Sequence, residues 1–186
     1  MPFEFATAGA ILFGPGVFRA SVERVASMGK RALVVTGKKS DRHAGGLDLL
    51  EGEGLILHRS RIEGEPAVAA VEAAVDQARG AACDLVIGIG GGSVLDTGKA
   101  VSALLTNPGP LTDYLEIIGK GLPLQQDPAP YVAVPTTAGT GAEVTRNAVV
   151  ASPVHRVKVS MRSPRMLPRL AIVDPELTLT LPPDVT

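Results

Sequence analysis

The chain has 186 residues, of which 45% are hydrophobic and 20% are charged, and its formal net charge is −1. This length and composition suit a single domain with a substantial core. The lysines and arginines are scattered and the aromatic content is 3%, which excludes a basic or base-stacking surface for nucleic acid. No apolar run approaches the ~20 residues that span a bilayer, so neither nucleic acid nor a membrane is expected as a partner.

The amino terminus and the cysteine content bear on the compartment. Residues 1–5 lack the basic and long apolar regions of a signal peptide. Cys83 is the only cysteine, and its place beside an apolar run predicts a buried, inert thiol. We therefore expect a cytoplasmic protein.

Short apolar runs alternate along the chain with segments of helical spacing. The runs predict strands over residues 10–13, 31–36, 55–58, 85–89, 131–134 and 171–174. The helical spacing predicts helices over residues 17–28, 46–52, 66–79 and 93–105, with Pro66 at the first helical position of the third. Proline-rich residues 107–130 predict an irregular connection, and residues 148–150 and 157–159 predict a β-hairpin.

This alternation predicts an α/β fold: a Rossmann-like parallel sheet with helices on both faces, plus the β-hairpin, as one domain over residues 1–186. In such sheets ligands bind at the carboxyl ends of the strands. Gly37, residues 90–93 and residues 136–137 each follow directly on a predicted strand. We expect these three segments to meet along one edge of the sheet.

A glycine run closes the predicted strand at residues 85–89. Residues 88–92 contain four glycines, and Ser93 then opens a predicted helix. Glycines admit a close ligand and a helix start offers unpaired N–H groups, so the pattern favours a phosphate site. Ser93 and Asp96 could instead form a capping box. The spacing matches neither the P-loop nor the Rossmann G-x-G-x-x-G pattern.

A threonine-rich segment, residues 135–145, follows the next strand. It holds four threonines and two glycines. Its hydroxyl and backbone groups could bind a ribose or a pyrophosphate, or the segment could be a hydrated turn.

Together, residues 90–99 and 135–145 resemble the iron-containing (group III) alcohol dehydrogenase family, and the likeness continues through residues 163–183. Dehydroquinate synthases and glycerol phosphate dehydrogenases share the fold, but the Thr-Thr-Ala-Gly-Thr stretch is more similar to the alcohol dehydrogenases. The resemblance implies a dinucleotide-binding domain that takes NADP or NAD. The cofactor-binding residues are expected at Gly37, Lys38, Gly90, Gly91, Gly92, Ser93, Asp96, Thr136, Thr137, Thr140, Lys158 and Leu177.

The resemblance also assigns roles to these residues. Residues 91–93 are expected to hold the pyrophosphate with Asp96 nearby, and the three threonines to line the nucleotide. Lys158 would lie near the nicotinamide ribose, unless it is a solvated strand lysine, and Leu177 would bound the adenine side.

The end of the strand at residues 31–36 bears on the choice of cofactor. Family members that prefer NAD tend to carry an acidic residue there, which repels a 2′-phosphate. This chain has Gly37, followed by Lys38, Lys39 and Ser40. The sequence therefore favours NADP(H) and leaves NAD open, although both lysines could point to solvent.

The family's metal centre is not expected in this chain. The resemblance implies a divalent metal, iron or possibly zinc, that polarises the substrate oxygen and is held by one Asp and three His of a helical C-terminal domain. The sequence stops just short of the Asp-x-x-x-His helix, so we expect that domain to be absent, and neither a metal ligand nor a catalytic residue here. Surface positions are expected for His43, His58 and His155, and turn or cap positions for Asp174 and Asp184.

Two functions remain open from the sequence. The chain could be the NAD(P)-binding part of a metal-dependent alcohol dehydrogenase or aldehyde reductase, as a fragment, a truncated product or one part of a split enzyme, inactive alone. It could instead be a non-catalytic nucleotide-binding or interaction module derived from that family. In either case an exposed apolar face would favour self-association.

Overall fold

The structure is a computed structural model that describes residues 1–38, 44–179 and 181. Lys39, Ser40, His43 and Asp184 lie outside the described residues. The strands are β1 (Ile11–Phe13), β2 (Arg31–Gly37), β3 (Ile56–Ile62), β4 (Leu85–Gly90), β5 (Tyr131–Pro135), β6 (Asn147–Ser152), β7 (Val157–Arg162) and β8 (Leu170–Val173). The helices are α1 (Val17–Ala20), α2 (Val22–Ala26), α3 (Ala44–Gly52), α4 (Val68–Gly80) and α5 (Gly92–Thr106).

Six strands form one parallel sheet in the order β1-β8-β5-β4-β2-β3, and β6 and β7 form a separate antiparallel hairpin. Alternate residues of β2 pack on opposite faces: Leu33 and Val35 lie in the core against α4 and α5, and Ala32 and Val34 in the core against α1 to α3. The predicted Rossmann-like sheet with helices on both faces and an added hairpin is confirmed.

The helix predicted over residues 17–28 is wrong as one element. The chain forms α1 and α2, which are separated at Ser21. The Ser21 hydroxyl donates to the Phe18 carbonyl at 2.9 Å, and Ser21 leaves helical geometry with φ −107° and ψ 1°. A local side-chain bond thus competes with the helical ladder, which sequence periodicity does not register.

Two other predicted boundaries are also wrong. β3 continues to Ile62 because it pairs with β2 over its whole length. As an edge strand it tolerates the polar residues 58–61, and an apolar run therefore predicts only its first part. α4 begins at Val68, not Pro66. The Pro66 carbonyl accepts from the Ala151 N–H at 2.8 Å, which keeps the entry to α4 extended against the hairpin.

Two further features concern the connection and the cysteine. Residues 107–130 are irregular apart from a short 3-10 helix, Leu111–Tyr114, and an isolated β-bridge between Leu115 and Met161. Cys83 is half-buried rather than buried, and desolvation raises the pKa of its thiol. In the part of the chain that the structure describes, no helix is long and apolar enough to cross a membrane.

Candidate functional site

The carboxyl ends of β2 and β4 form a crevice at the middle of the sheet. After β2 the chain moves outward to β3, whereas after β4 it moves the other way to β5. The two following segments therefore diverge, which is the geometry of a ligand crevice at a topological switch point. Gly37 ends β2 and Gly90 ends β4. β2 pairs with β4 as far as Thr36 and Ile89, so the two strand ends are adjacent. A Cβ built on Gly37 would lie 3.9 Å from Cγ2 of Val94 on α5.

The glycine run and the threonine-rich segment meet at this crevice. The Thr136 N–H donates to the Gly90 carbonyl at 3.0 Å. A Cβ on Gly91 would lie only 2.9 Å from Thr137 Oγ1, and one on Gly92 would lie 3.5 Å from Thr140 Cβ. The predicted meeting of these segments at one sheet edge is confirmed, and any side chain at Gly91 would crowd the space between them.

The start of α5 presents unpaired N–H groups to the crevice. Val94 and Leu95 both donate to the Gly91 carbonyl, at 3.0 and 3.1 Å. Gly92 and Ser93 precede these donors, so their N–H groups have no acceptor within the helix. Gly91 is the N-cap residue, and within the described part of the chain no side chain caps the helix there. Two N–H groups without a helical acceptor, at the positive end of a helix dipole, can bind an anion such as a phosphate.

The capping-box interpretation of Ser93 and Asp96 is wrong. The Asp96 carboxylate turns away from the helix start: Oδ2 accepts from the Val149 N–H at 3.1 Å, and Oδ1 lies 3.2 Å from Lys99 Nζ. Asp96 therefore ties α5 to β6. Both of its oxygens are already engaged by the protein.

Gly88, although part of the glycine run, serves packing. A Cβ on Gly88 would lie 2.5 Å from the Tyr131 hydroxyl oxygen, and one on Gly98 would lie 2.6 Å from Tyr131 Cε2. Tyr131 is buried and donates to the Leu95 carbonyl at 3.0 Å; burial raises its pKa well above the usual value. The two glycines admit this ring between β4 and α5.

Lys99 is the main residue that the sequence analysis missed. Its side chain is fully buried, and desolvation lowers its pKa while the neighbouring Asp96 carboxylate opposes that shift. The available signal was the Asp–Lys spacing of i, i+3, which is compatible with an exposed pair as well.

Lys38 and Leu177 lie on separate parts of the same edge. Lys38 is exposed, and its Nζ lies 3.7 Å from Oε2 of Glu63, the residue after β3. Leu177 belongs to the 3-10 helix Pro175–Thr178 and lines a cavity that also includes Ile89 of β4. That 3-10 helix is capped by Asp174, as predicted.

Asp174 has a further role in joining the two ends of the chain. Besides the Glu176 N–H at 3.0 Å, its carboxylate accepts from the N–H groups of Gly16 and Phe18, each at 3.1 Å. It is 3% exposed. Asp174 thereby holds the start of α1 against the end of β8.

Lys158, on β7, is exposed to solvent and paired with a carboxylate. Its ammonium donates to the carboxylate of Glu65, which lies between β3 and α4. Lys158 and Glu65 line a small cavity together with Ser93 and Asp96. The structure thus brings Lys158 to the start of α5, whereas Leu177 lines a different cavity.

The described residues do not fit the family's metal. Across residues 1–38, 44–179 and 181, no group of three or more His, Cys, Asp or Glu side chains is placed to hold a metal ion. His58 is half-buried on β3, with Nε2 3.5 Å from Arg31 Nη2, which corrects its predicted surface position. His155 is exposed in the hairpin turn, with Nδ1 2.8 Å from Ser152 Oγ.

The fold is that of a Rossmann-like α/β domain with a topological switch point between β2 and β4. The family model described as iron-containing alcohol dehydrogenase matches residues 8–175. The chain belongs to this family, as the two sequence motifs indicated.

Individual relatives agree with the family. The chain is 43% identical to a 4-hydroxybutyrate dehydrogenase of Cupriavidus necator over 121 residues, which are 65% of this chain and 31% of the relative. A crystal structure of 1,3-propanediol oxidoreductase superposes with a TM-score of 0.91 at 32% identity, covering 100% of this chain and 49% of that one. A sulfoacetaldehyde reductase from Bifidobacterium kashiwanohense, solved with NAD+, gives a TM-score of 0.89 at 30% identity and the same two coverages. The chain therefore spans about half the length of these solved structures, and less of the curated relative.

Proposed function

We propose that this chain is the dinucleotide-binding part of an NAD(P)-dependent alcohol dehydrogenase or aldehyde reductase. In the proposed reaction a hydride passes between the nicotinamide ring and the carbon atom of an alcohol or aldehyde. The observation that carries the proposal is the contact between the glycine run at the start of α5 and the threonine-rich segment, at the switch point of a parallel sheet. Family membership and the NAD+ complex of a similar structure support it.

The proposed binding mode follows the crevice. The N–H groups of Gly92 and Ser93 would bind the pyrophosphate, and the lack of a side chain at Gly91 would let it approach the backbone. The hydroxyls of Thr136, Thr137 and Thr140 would bind the nucleotide beside it. Lys158, next to Ser93 in the same cavity, would face the nicotinamide ribose, and Leu177 the adenine. When bound, the nicotinamide supplies the hydride chemistry.

We further propose a preference for NADP(H), in which Lys38 supplies the positive charge for a 2′-phosphate. Gly37 offers no acidic side chain to repel that phosphate. Glu63 opposes the preference, since its carboxylate pairs with Lys38. The balance of these two charges would set how far NADPH is preferred over NADH.

Catalytic turnover would need a metal that the described residues do not fit, so we expect this chain to bind the cofactor without turning it over. Titration with NADH and NADPH by isothermal calorimetry tests the expected cofactor binding. NADPH oxidation with a panel of aldehydes, with added iron or zinc, tests the expected absence of turnover. Absence of binding of both cofactors would overturn the proposal, and metal-dependent turnover by this chain alone would overturn the expected inactivity. Self-association and a cytoplasmic location stay predictions.

A further inference from the structure

Lys99 is a cation whose side chain is fully buried in the core. Burial of an ammonium group costs several kcal/mol unless charges and hydrogen bonds compensate for it. Here Nζ donates to the Asn147 carbonyl at 2.6 Å and to Thr145 Oγ1 at 3.1 Å, lies 3.4 Å from the Thr145 carbonyl, and pairs with Asp96 at 3.2 Å. A fully buried side chain thus joins α5 to the end of the threonine-rich segment and the start of β6.

Asp96 extends the contact between α5 and β6 from Asn147 to Val149. Its Oδ2 accepts from the Val149 N–H, so the Asp96–Lys99 pair contacts the chain at residues 145, 147 and 149. This stretch runs from the last residue of the threonine-rich segment into β6, the strand that pairs with β7, which carries Lys158. An apolar side chain at position 99 could fill the space but could not bond these carbonyls.

Glu143 adds a second negative charge to the cluster. Among the described residues its Oε2 is buried without a hydrogen-bond partner, and its charge, like that of Asp96, acts to raise the pKa of Lys99. Lys99 therefore pairs with the Asp96 carboxylate, and the Glu143 carboxylate adds to the negative charge around it.

We propose that Lys99 is a positioning residue: with Asp96 it holds residues 145–149 so that the threonine-rich segment and Lys158 face the start of α5. The inference rests on the proposed function, because Lys158 is the group assigned there to the nicotinamide ribose, which NADH has and ADP lacks. The adenine half would use Gly37, Lys38 and Leu177, and in the described part of the chain none of these is hydrogen-bonded to Lys99 or Asp96.

The test compares NADH with ADP on the full chain, using isothermal calorimetry. Lys99→Met, which keeps the length of the side chain without its charge, should raise the Kd for NADH by about tenfold and leave that for ADP within about twofold. A general loosening of the fold would weaken both ligands alike. Lys99→Arg should recover part of the NADH affinity, because it restores a cation that can donate to the same carbonyls.

Arg79→Met is the control, at a cation that is exposed rather than buried. Arg79 is also a cation that donates to a main-chain carbonyl of α5, that of Leu104 at 2.5 Å, but at the end of the helix away from the crevice. The ratio of the two Kd values should be that of the unchanged chain. If Arg79→Met alters the ratio as Lys99→Met does, the proposal is wrong.

Thr145→Val serves if Lys99→Met does not fold, since it removes one acceptor and leaves the charges in place. It should raise the NADH Kd by about threefold with the ADP Kd unchanged. If Lys99→Met folds and its ratio of NADH Kd to ADP Kd equals that of the unchanged chain, the positioning role alone is overturned. If Lys99→Met does not fold, the same result in Thr145→Val overturns it. If the unchanged chain binds neither NADH nor ADP, the proposed function falls and the positioning role falls with it.

Discussion

Gly91→Ala should separate the cofactor cradle from the stability of the fold. The backbone at Gly91, with φ −78° and ψ −173°, suits any residue, so alanine causes no backbone strain. The added Cβ would lie 2.9 Å from Thr137 Oγ1, and the next atom near it, Thr137 Cβ, is 4.0 Å away. A turn of one hydroxyl relieves that contact, and alanine is a poorer N-cap than glycine, so we expect a loss of about 1–2 kcal/mol in the free energy of unfolding.

The effect on the cofactor should be larger. The methyl group would keep a pyrophosphate from the N–H groups of Gly92 and Ser93. Hydrogen bonds to charged groups contribute about 1.5–3 kcal/mol each, so weakening two of them should cost about 3 kcal/mol, or about 100-fold in the Kd for NADH. Calorimetry measures the Kd, and thermal unfolding followed by circular dichroism measures the stability.

Gly80→Ala is the control for this experiment. Gly80 ends α4, and a Cβ there would have no atom within 4 Å. It should raise stability by about 0.5 kcal/mol, from helix propensity, with an unchanged Kd. A folded Gly91→Ala chain that binds NADH within about threefold of the unchanged chain would refute the assignment of the pyrophosphate to this helix start.

Three further changes test other parts of the structure. Lys38→Ala should weaken NADPH binding by about fivefold with little effect on NADH binding, as expected for an exposed charge pair worth about 1 kcal/mol. Glu63→Gln should strengthen NADPH binding. Equal effects on both cofactors in calorimetry would contradict the proposed contact between Lys38 and the 2′-phosphate. Asp174→Ala should lower the free energy of unfolding by about 3 kcal/mol in urea titrations, because three backbone N–H groups lose their acceptor. Asp174→Asn should have an intermediate effect. A loss as small as that for an exposed aspartate would argue against Asp174 as the residue that holds α1 against β8. Gly98→Ala should lower the free energy of unfolding by about 2–3 kcal/mol, because the added methyl group clashes with the Tyr131 ring. In a Tyr131→Leu background the loss should be about 1 kcal/mol or less. Equal losses in both backgrounds would show that the ring does not cause the clash.

Much of the fold could be predicted from sequence because its signals are local. Buried strands such as β2 and β4 are apolar runs that end in glycine, and α5 is a periodic segment that follows the glycine run. Parallel order then places the strand ends at one edge. The break at Ser21 and the polar end of β3 were missed, because a side-chain hydrogen bond and an edge position leave no trace in apolar periodicity.

The candidate site divides in the same way. The sequence alone determined the class of domain, the glycine-rich helix start and its threonine-rich neighbour, since these depend on residues next to one another in the chain. Only the tertiary structure decided that Gly88 makes room for Tyr131 and that Asp96 bonds to β6 instead of capping its own helix. It also showed that Lys99 is buried. These roles depend on partners about 35 to 55 residues away in the chain, and a residue's own neighbours in sequence carry no record of which distant group will pack against it.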